Sequence, residues 1–241
     1  VAHNKLEGTV KVAHNKLEGT VKVIEGKIED IELPEKVDVI ISEWMGFHLL
    51  HESMLNSVII ARDRCLKPGG KMFPSRCSIM ACPVSMEAMR RDRMDCWKDV
   101  FGLDMSPLGE QLAVQLFQTP MVDFVTPDQF LSTPLTLTDF DCHNVTEEEL
   151  RTISGQMAFV AEKQGDCAGV AVWFDCIFDG GQEGTQVNLS TAPGMPHTHW
   201  KQSVVLLGSF FAVTPGDDLS LQLTVEQDAE NPRHYRLSIQ T

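Results

Sequence analysis

The C-terminal half of the chain consists of short apolar or alternating runs, and this pattern constrains the fold more than any other feature of the sequence. Clusters of Pro, Gly, Asp and Asn separate the runs, which is typical of strands joined by turns. The predicted strands are residues 135–140, 155–162, 169–178, 203–213 and 219–226. Many short strands with polar turns predict an antiparallel sandwich or barrel from about residue 121 to the end.

The segment before this region has a different pattern, in which an apolar run is followed by helical spacing. Val37–Ile41 is apolar at four of five positions, as expected of a parallel strand covered on both faces. A helix is predicted for residues 53–65, and a Pro-Gly-Gly turn at residues 68–70 should end it before another strand. Residues 20–25 are predicted as a further strand. This order indicates α/β structure, in which functional residues lie at the carboxyl ends of strands.

The composition is that of a globular chain with a sizeable core, since 43% of its 241 residues are hydrophobic. A net charge of −14 argues against a nucleic-acid surface and is compatible with attraction of basic protein tails. The seven cysteines form no Cys-x-x-Cys and the eight histidines lack metal-ligand spacing, so we predict reduced thiols and no metal site. No membrane span or secretory leader is recognisable, and we expect a cytoplasmic and/or nuclear protein without a membrane partner.

The first 22 residues are one 11-residue segment present twice without change, as Val1–Lys11 and Val12–Lys22. Two copies are too few for a solenoid, and nothing further along the chain repeats. We treat residues 1–22 as a duplicated segment of uncertain origin and assign the first copy no function.

Two glutamates flank a short apolar loop, with Glu43 after the predicted strand and Glu52 before the predicted helix. A guanidinium group is planar, has five donors and stays charged, so two carboxylates can hold it in one orientation and leave a terminal nitrogen free. Acidic residues at strand ends and helix starts are also common as surface groups and caps. From the residue types alone, a guanidinium clamp and a pair of solvated acids are both open.

The strings around these glutamates resemble those of the protein arginine N-methyltransferases. Residues 42–46 read Ser-Glu-Trp-Met-Gly and residues 52–55 read Glu-Ser-Met-Leu, similar to the double-glutamate loop of that family. Residues 198–202 read Thr-His-Trp-Lys-Gln, similar to its Thr-His-Trp loop. Two motifs in the family's order, within a resemblance from about residue 15 to the end, make the signal specific.

The resemblance implies a two-part architecture. Residues 20–76 would be the C-terminal part of a Rossmann-like S-adenosylmethionine-dependent methyltransferase domain, and residues 77–241 a β-barrel substrate domain. A helical segment at about residues 86–120 resembles the family's dimerisation arm and implies a homodimer or a heterodimer with a relative. An amphipathic helical hairpin packed on its own chain is the alternative. The family's glycine-rich cofactor motif is not found upstream of Thr20, so the first half of the cofactor fold is expected to be missing.

The resemblance also implies roles for individual residues. The implied catalytic residues are Glu43, Glu52 and His199. The implied residues for binding the cofactor S-adenosylmethionine are Ile28, Glu29 and Met54. The implied substrate-binding residues are Met45 and Trp200.

The implied activity is methyl transfer from S-adenosylmethionine to a guanidino nitrogen of arginine in proteins, as in the asymmetric-dimethylating branch. Gly/Arg-rich or histone-like proteins would be the substrates, with no direct contact to nucleic acid. Family members often have tyrosine where this chain has Phe47, and aromatic residues where it has Leu50 and His51, which puts substrate choice and rate in question but not the clamp. The alternative is a truncated, catalytically inactive family member that acts as a dimerisation or substrate-binding partner.

Overall fold

The computed structural model describes residues 12–52, 54–182 and 185–240. The first copy of the repeat, residues 1–11, and Ser53 at the predicted helix start lie outside the described residues. Residues 12–14 form a helical turn, and residues 20–25 form no strand. The prediction of a strand at residues 20–25 is therefore wrong. Among the described residues no strand lies beside this segment, so its backbone groups have no ladder to join.

A parallel βαβ unit follows the N-terminal segment. It consists of β1 (Val37–Ile41), α1 (Leu55–Cys65) and β2 (Leu66–Phe73), with β1 and β2 paired in parallel. The strand and the helix of the sequence prediction are thus confirmed. The predicted Pro-Gly-Gly turn is wrong, because residues 68–70 lie inside β2. The register there shifts between Val37 and Val39, so the three residues are accommodated as an irregularity of the strand.

The prediction that β1 is covered on both faces is wrong. Ile41 is 77% exposed and Val39 is 42% exposed. β2 is the sole strand paired with β1 within the described residues, and no second layer covers the outer face of this pair. A continuous apolar run indicates a strand that is suited to a buried sheet. Whether the strand is actually buried depends on the elements packed beside it.

Nine antiparallel strands follow the βαβ unit, with short helices between some of them. They are β3 (Arg76–Ser85), β4 (Met121–Asp123), β5 (Leu135–Asp141), β6 (Thr152–Met157), β7 (Gly165–Asp179), β8 (Gln186–Ser190), β9 (Gln202–Val213), β10 (Leu221–Gln227) and β11 (Tyr235–Gln240). One sheet has the order β4-β9-β7-β3-β5 with β8 paired to β7, and the other has the order β11-β10-β6. β5 lies beside β6 and β11 beside β9, so the two sheets adjoin at two places. The strands are hydrogen-bonded within two sheets, and the two sheets enclose one hydrophobic core. This arrangement agrees with the predicted β-barrel domain.

One predicted strand is displaced. The sequence pattern placed a strand at residues 155–162, whereas β6 ends at Met157. Beyond this point the chain leaves the ladder and forms backbone hydrogen bonds to residues 216–219 and to Leu131. Phe159 O accepts from Leu219 N at 3.0 Å, and Glu162 N donates to Leu131 O at 2.7 Å. Apolar residues here are buried between the sheets without being part of a strand.

Helices interrupt the strands between β3 and β4, where the sequence predicted a helical arm. They are α2 (Glu87–Arg93), a 3-10 turn (Asp95–Lys98) and α3 (Ser106–Leu116). The loop between the last two carries Phe101, which is fully exposed, and Leu103, which is 65% exposed. A further 3-10 turn (Pro127–Gln129) and α4 (Glu147–Arg151) are short connections. None of the described helices is long and apolar enough to cross a membrane.

The βαβ unit and the strands share one hydrophobic core. Trp44, Leu49 and Leu55 pack in the same cluster as Phe174 of β7 and Leu223 of β10. The buried Arg62 of α1 adds polar bonds to this junction, since its Nη1 donates to Cys142 O at 3.0 Å and to Val145 O at 2.7 Å. A buried guanidinium without such acceptors would be costly, so these carbonyls fix α1 against the sheets.

The pairing of β7 with β9 leaves no room for a side chain at Gly169. A Cβ there would lie 2.2 Å from Val205 O and 2.9 Å from Leu206 Cα, both backbone atoms. We expect Gly169→Ala to lower the free energy of unfolding by about 1–3 kcal/mol, because a strand must shift. The matched control is Gly208→Ala in β9, where a Cβ meets no atom within 4 Å. Equal urea-unfolding midpoints for the two variants would contradict the close approach.

Candidate functional site

The loop between β1 and α1 closes on itself through backbone hydrogen bonds. Met54 N donates to Trp44 O at 3.3 Å, which joins the two ends of the loop. Glu43 immediately precedes one end and Glu52 lies two residues before the other. The structure therefore places both glutamates at the neck of one closed loop, which we call the double-glutamate loop (residues 42–54).

Three non-glycine residues of this loop have positive φ angles. His48 has φ 41°, Leu49 has φ 79° and Glu52 has φ 57°. Residues with a Cβ adopt this region at a cost and keep it where the surroundings determine the conformation. Leu49 is completely buried, and its N–H and C=O both bond to Gly46 at 3.1 and 2.8 Å. Packing and backbone bonds thus hold the tight turn.

The two carboxylates face solvent. Glu43 and Glu52 are both exposed, and among the described residues neither side chain makes a hydrogen bond or a salt bridge. Both groups consequently keep all their acceptor positions for a ligand. Unpaired carboxylates of this kind form charge-assisted hydrogen bonds with a guanidinium group.

The double-glutamate loop contacts the Thr-His-Trp segment directly. The buried indole of Trp200 donates from Nε1 to Met45 O at 3.0 Å and packs edge-on against Phe174 at 5.3 Å between ring centroids. Two strings that are remote in the sequence are thereby brought together. Met45 and Trp200 are both buried in this contact, with 7% and 8% of their surfaces exposed.

A second bond joins the same loop to the start of β9. His48 is 6% exposed, and its Nδ1 lies 3.1 Å from Ser203 Oγ. Its Nε2 has no hydrogen-bond partner among the described residues. Burial, with a smaller contribution from His51, lowers the pKa of His48 to about 3, so the imidazole is neutral at physiological pH.

The turn between β10 and β11 holds the far end of the loop. Glu52 N donates to Arg233 O at 2.6 Å. His51 Nδ1 lies 3.1 Å from both the N and the O of Tyr235. The ring of His51 is stacked on that of His234, with 4.8 Å between centroids. These contacts were not predicted, and the histidines at positions 48 and 51 were the sequence signal that could have indicated them.

His199 lies at the surface beside this contact. Its ring is 4.1 Å from that of Trp200 between centroids, and within the described residues it makes no hydrogen bond. An exposed imidazole without a fixed partner can accept or release a proton at a bound substrate. Its catalytic role stays a prediction.

The residues predicted to bind the cofactor gather around α1. The Ser57 hydroxyl donates to the Glu29 carboxylate, and Arg64 Nη1 donates to Ile28 O at 3.3 Å. The Ser57 bond is the main cause that lowers the pKa of Glu29, so this exposed carboxylate is ionised at neutral pH. Met54, which precedes α1 and is 56% exposed, lies one helical turn before Ser57. The Glu29 carboxylate therefore reaches the first turn of α1, which follows Met54, while Arg64 in the last turn holds the backbone of Ile28.

The chain is similar to described arginine methyltransferases over most of its length. Residues 75–241 match the family profile described as the arginine methyltransferase oligomerization subdomain. The chain is 38% identical to the protein arginine N-methyltransferase PRMT10 of Arabidopsis thaliana, over 88% of this chain and 61% of that protein. It is 37% identical to protein arginine N-methyltransferase 6 of Xenopus tropicalis, over 87% of this chain and 62% of that protein.

Solved structures give the same result. The Trypanosoma brucei PRMT1 enzyme-prozyme heterotetrameric complex with AdoHcy superimposes with a TM-score of 0.85 and 34% identity, covering 97% of this chain and 72% of that chain. Arabidopsis thaliana protein arginine methyltransferase 10 gives a TM-score of 0.79 and 36% identity, with 95% and 72% covered. The chain spans about three fifths of the length of the curated relatives it matches.

The buried His48 makes the stability of the double-glutamate loop dependent on pH. An unfolded histidine has a pKa of about 6.5, so below that pH the unfolded chain binds a proton that the folded chain excludes until about pH 3. The free energy of unfolding should fall by about 2 kcal/mol from pH 7 to pH 5 through this group alone.

Urea unfolding at pH 7 and at pH 5 tests this expectation, because the difference between the two free energies of unfolding gives the pH dependence of each variant. His48→Phe should remove about 2 kcal/mol of the pH dependence, whatever its effect at pH 7. His14→Gln, a change at an exposed histidine, is the control and should leave the dependence unaltered. An unchanged pH dependence in His48→Phe would show that His48 is not the buried neutral group described.

Proposed function

The chain belongs to the protein arginine N-methyltransferase family, and from this premise we propose that the protein transfers methyl groups to arginine side chains of other proteins. The observation that carries the proposal is the contact between its two motif loops. The Trp200–Met45 hydrogen bond fixes the double-glutamate loop on the strands and leaves Glu43 and Glu52 exposed and without ion-pair partners among the described residues.

The two glutamates would hold and polarise the arginine. Their carboxylates accept from the guanidinium N–H groups, orient its plane and draw positive charge towards themselves. The nitrogen that points away from the carboxylates keeps more electron density for attack. The same negative field stabilises the positive charge that remains in the transition state.

The methyl donor proposed is S-adenosylmethionine, and the chemistry of the residues around α1 fits this molecule. The ionised carboxylate of Glu29 suits the exocyclic amine of adenine, and Ile28 and the exposed Met54 supply apolar contacts. When bound, the molecule supplies a methyl group already activated on a sulfonium. The protein then has to align the guanidino nitrogen with that carbon, which is a matter of positioning.

The Thr-His-Trp segment would support this alignment. Trp200 holds the backbone at Met45, next to the nitrogen pocket, and His199 stands at the surface of the same contact. We assign His199 a supporting role, because proton loss from the methylated guanidinium can proceed through a glutamate or water.

We further propose that two chains associate through the helical arm. The segment 86–120 presents Phe101 and Leu103 to solvent, and exposed apolar side chains at a loop tip are typical of a partner surface. The matched profile is named for oligomerization, and the Trypanosoma brucei relative is described as a heterotetrameric complex. A homodimer and a heterodimer with a relative are both compatible with this surface.

We also propose a substrate class, a cellular location and a domain boundary for this protein. Arginine in Gly/Arg-rich or histone-like proteins is the expected substrate, since a charge of −14 attracts basic tails. A cytoplasmic and/or nuclear location is supported by seven cysteines that are all free thiols. The domain division that we propose, between residues 76 and 77, lies after the first residue of β3. The alternative of an inactive dimerisation partner is not favoured by the curated relatives, which are described as arginine N-methyltransferases.

Glu52→Gln tests the proposed clamp. The amide keeps the size of the side chain and removes its charge, so kcat/KM for methyl transfer to an arginine peptide should fall about 10²- to 10³-fold. Glu226→Gln, at an exposed position of β10, is the matched control and should leave turnover unchanged. Turnover of Glu52→Gln equal to the parent, or a parent chain that never methylates arginine, would refute the proposal.

Phe101→Ser tests the proposed arm. Burying a phenylalanine contributes about 1.5–3 kcal/mol, so its loss should weaken self-association by more than tenfold in sedimentation velocity. Val187→Ser, which changes another exposed apolar residue, should have no such effect. If both variants associate as the parent does, the arm is not the interface.

A further inference from the structure

Three potential metal ligands meet where the double-glutamate loop contacts the turn between β10 and β11. His51, Glu52 and His234 each offer one ligand atom, and these atoms all lie within 4.8 Å of one another. It is the one group of this kind found among the described residues. The function proposed above uses Glu52 and leaves both histidines without a role.

The backbone holds the three residues in place without any metal. Glu52 N donates to Arg233 O at 2.6 Å, and His51 Nδ1 lies 3.1 Å from Tyr235 O. These two bonds are to the residues on either side of His234. The turn itself is closed by a bond from His234 N to Asn231 O at 2.8 Å. The ligand-bearing positions are therefore preorganised by strands that belong to the core.

The second contact of His51 is the one expected of a metal-binding histidine. Its Nδ1 lies 3.1 Å from Tyr235 O as well as from Tyr235 N. This nitrogen makes one of the two bonds in each tautomer: without a proton it accepts from Tyr235 N, and with a proton it donates to Tyr235 O and leaves the Nε2 lone pair for a cation. Ligating histidines commonly donate their other ring N–H to a backbone carbonyl, which fixes the tautomer and the ring orientation.

The donor set selects the class of metal. Two imidazoles and one carboxylate are the ligands that Zn²⁺ takes in sites that keep a position open for water or substrate. Tetrahedral coordination at such bond lengths separates ligand atoms by roughly 3.4 Å. Closing the widest separation from 4.8 Å to that distance needs a movement of about 1.4 Å. One imidazole must also rotate out of the stack, because two parallel rings do not direct their lone pairs at one ion.

We propose that His51, Glu52 and His234 form a binding site for Zn²⁺ or a similar divalent transition-metal ion, and that the bound ion inhibits arginine methylation by occupying the Glu52 carboxylate. The inhibition rests on the proposed function, whereas the site itself stands independently of it. A carboxylate bound to a cation no longer accepts from a guanidinium, and the positive charge repels the substrate arginine. Metal and arginine would thus compete for one side chain.

Metal binding is measured first, without reference to activity. The chelator-treated chain is titrated with Zn²⁺ by calorimetry and with Co²⁺ by visible absorbance, in a Cys96→Ser background because Cys96 is an exposed thiol. We expect one equivalent of Zn²⁺ and the absorbance bands of Co²⁺ with nitrogen and oxygen ligands. His234→Gln should weaken the affinity at least tenfold, and His14→Gln, a change at an exposed histidine, should not. Glu52→Gln is a second variant that should weaken binding if His234→Gln alters the turn.

Inhibition is measured next, on arginine-peptide methylation with and without Zn²⁺. Zn²⁺ should raise the apparent KM for the peptide in the parent at least tenfold, and a chelator should reverse this. His234→Gln should resist the inhibition while retaining metal-free turnover.

The outcomes separate the two claims. Equal Zn²⁺ affinity in the parent, His234→Gln and Glu52→Gln overturns the site. One equivalent bound at these residues without a change in KM overturns the competition. A chain that binds Zn²⁺ there but methylates no arginine peptide in metal-free buffer overturns the proposed function and leaves the site supported.

Discussion

The hydrogen bond from the Trp200 indole to Met45 O joins the double-glutamate loop of the βαβ unit to the segment that precedes β9. A buried indole N–H without an acceptor would cost about 1–3 kcal/mol, so this contact fixes where the double-glutamate loop can lie on the strands. His48 with Ser203, and Glu52 with Arg233, add bonds on either side of it. These bonds attach the inner face of the loop to the antiparallel strands, and its two carboxylates are left to face solvent.

Helix α1 contacts both the antiparallel domain and the residues predicted to bind the cofactor. Arg62 of α1 is buried and bonded to carbonyls that precede α4, while Ser57 in the first turn of α1 holds the Glu29 carboxylate at the surface. The double-glutamate loop and the residues around Glu29 are therefore both attached to α1. Rigid attachment is what methyl transfer demands, because reacting groups held in line need little further reorganisation. The exposed Ile41 of β1 marks the face of the unit that the described residues leave uncovered.

The fold could be predicted from the sequence where local pattern and burial agree. β1, α1 and the strands β5, β7, β9 and β10 were predicted close to their observed bounds, and so was the position of the helical arm. The predictions were wrong where the structure of a segment depends on the elements packed beside it. Residues 20–25 alternate but have no strand beside them, and residues 158–162 are apolar but bridge two segments. Pro68–Gly70 has the composition of a turn but lies inside β2, because pairing with β1 tolerates an irregular register there.

By itself, the sequence determined the family, the order of strands and helices, and the two glutamates that bracket one loop. Those properties depend on residue types and short spacings, which act locally on backbone and burial. Only the tertiary structure decided which groups stand together, such as His48 with Ser203 or His51 and Glu52 with His234. The partners in these contacts are more than 150 positions apart along the chain. The spacing of the histidines along the chain could not indicate that His51 and Glu52 stand beside His234, because the first two lie in a loop and the third lies in a distant turn.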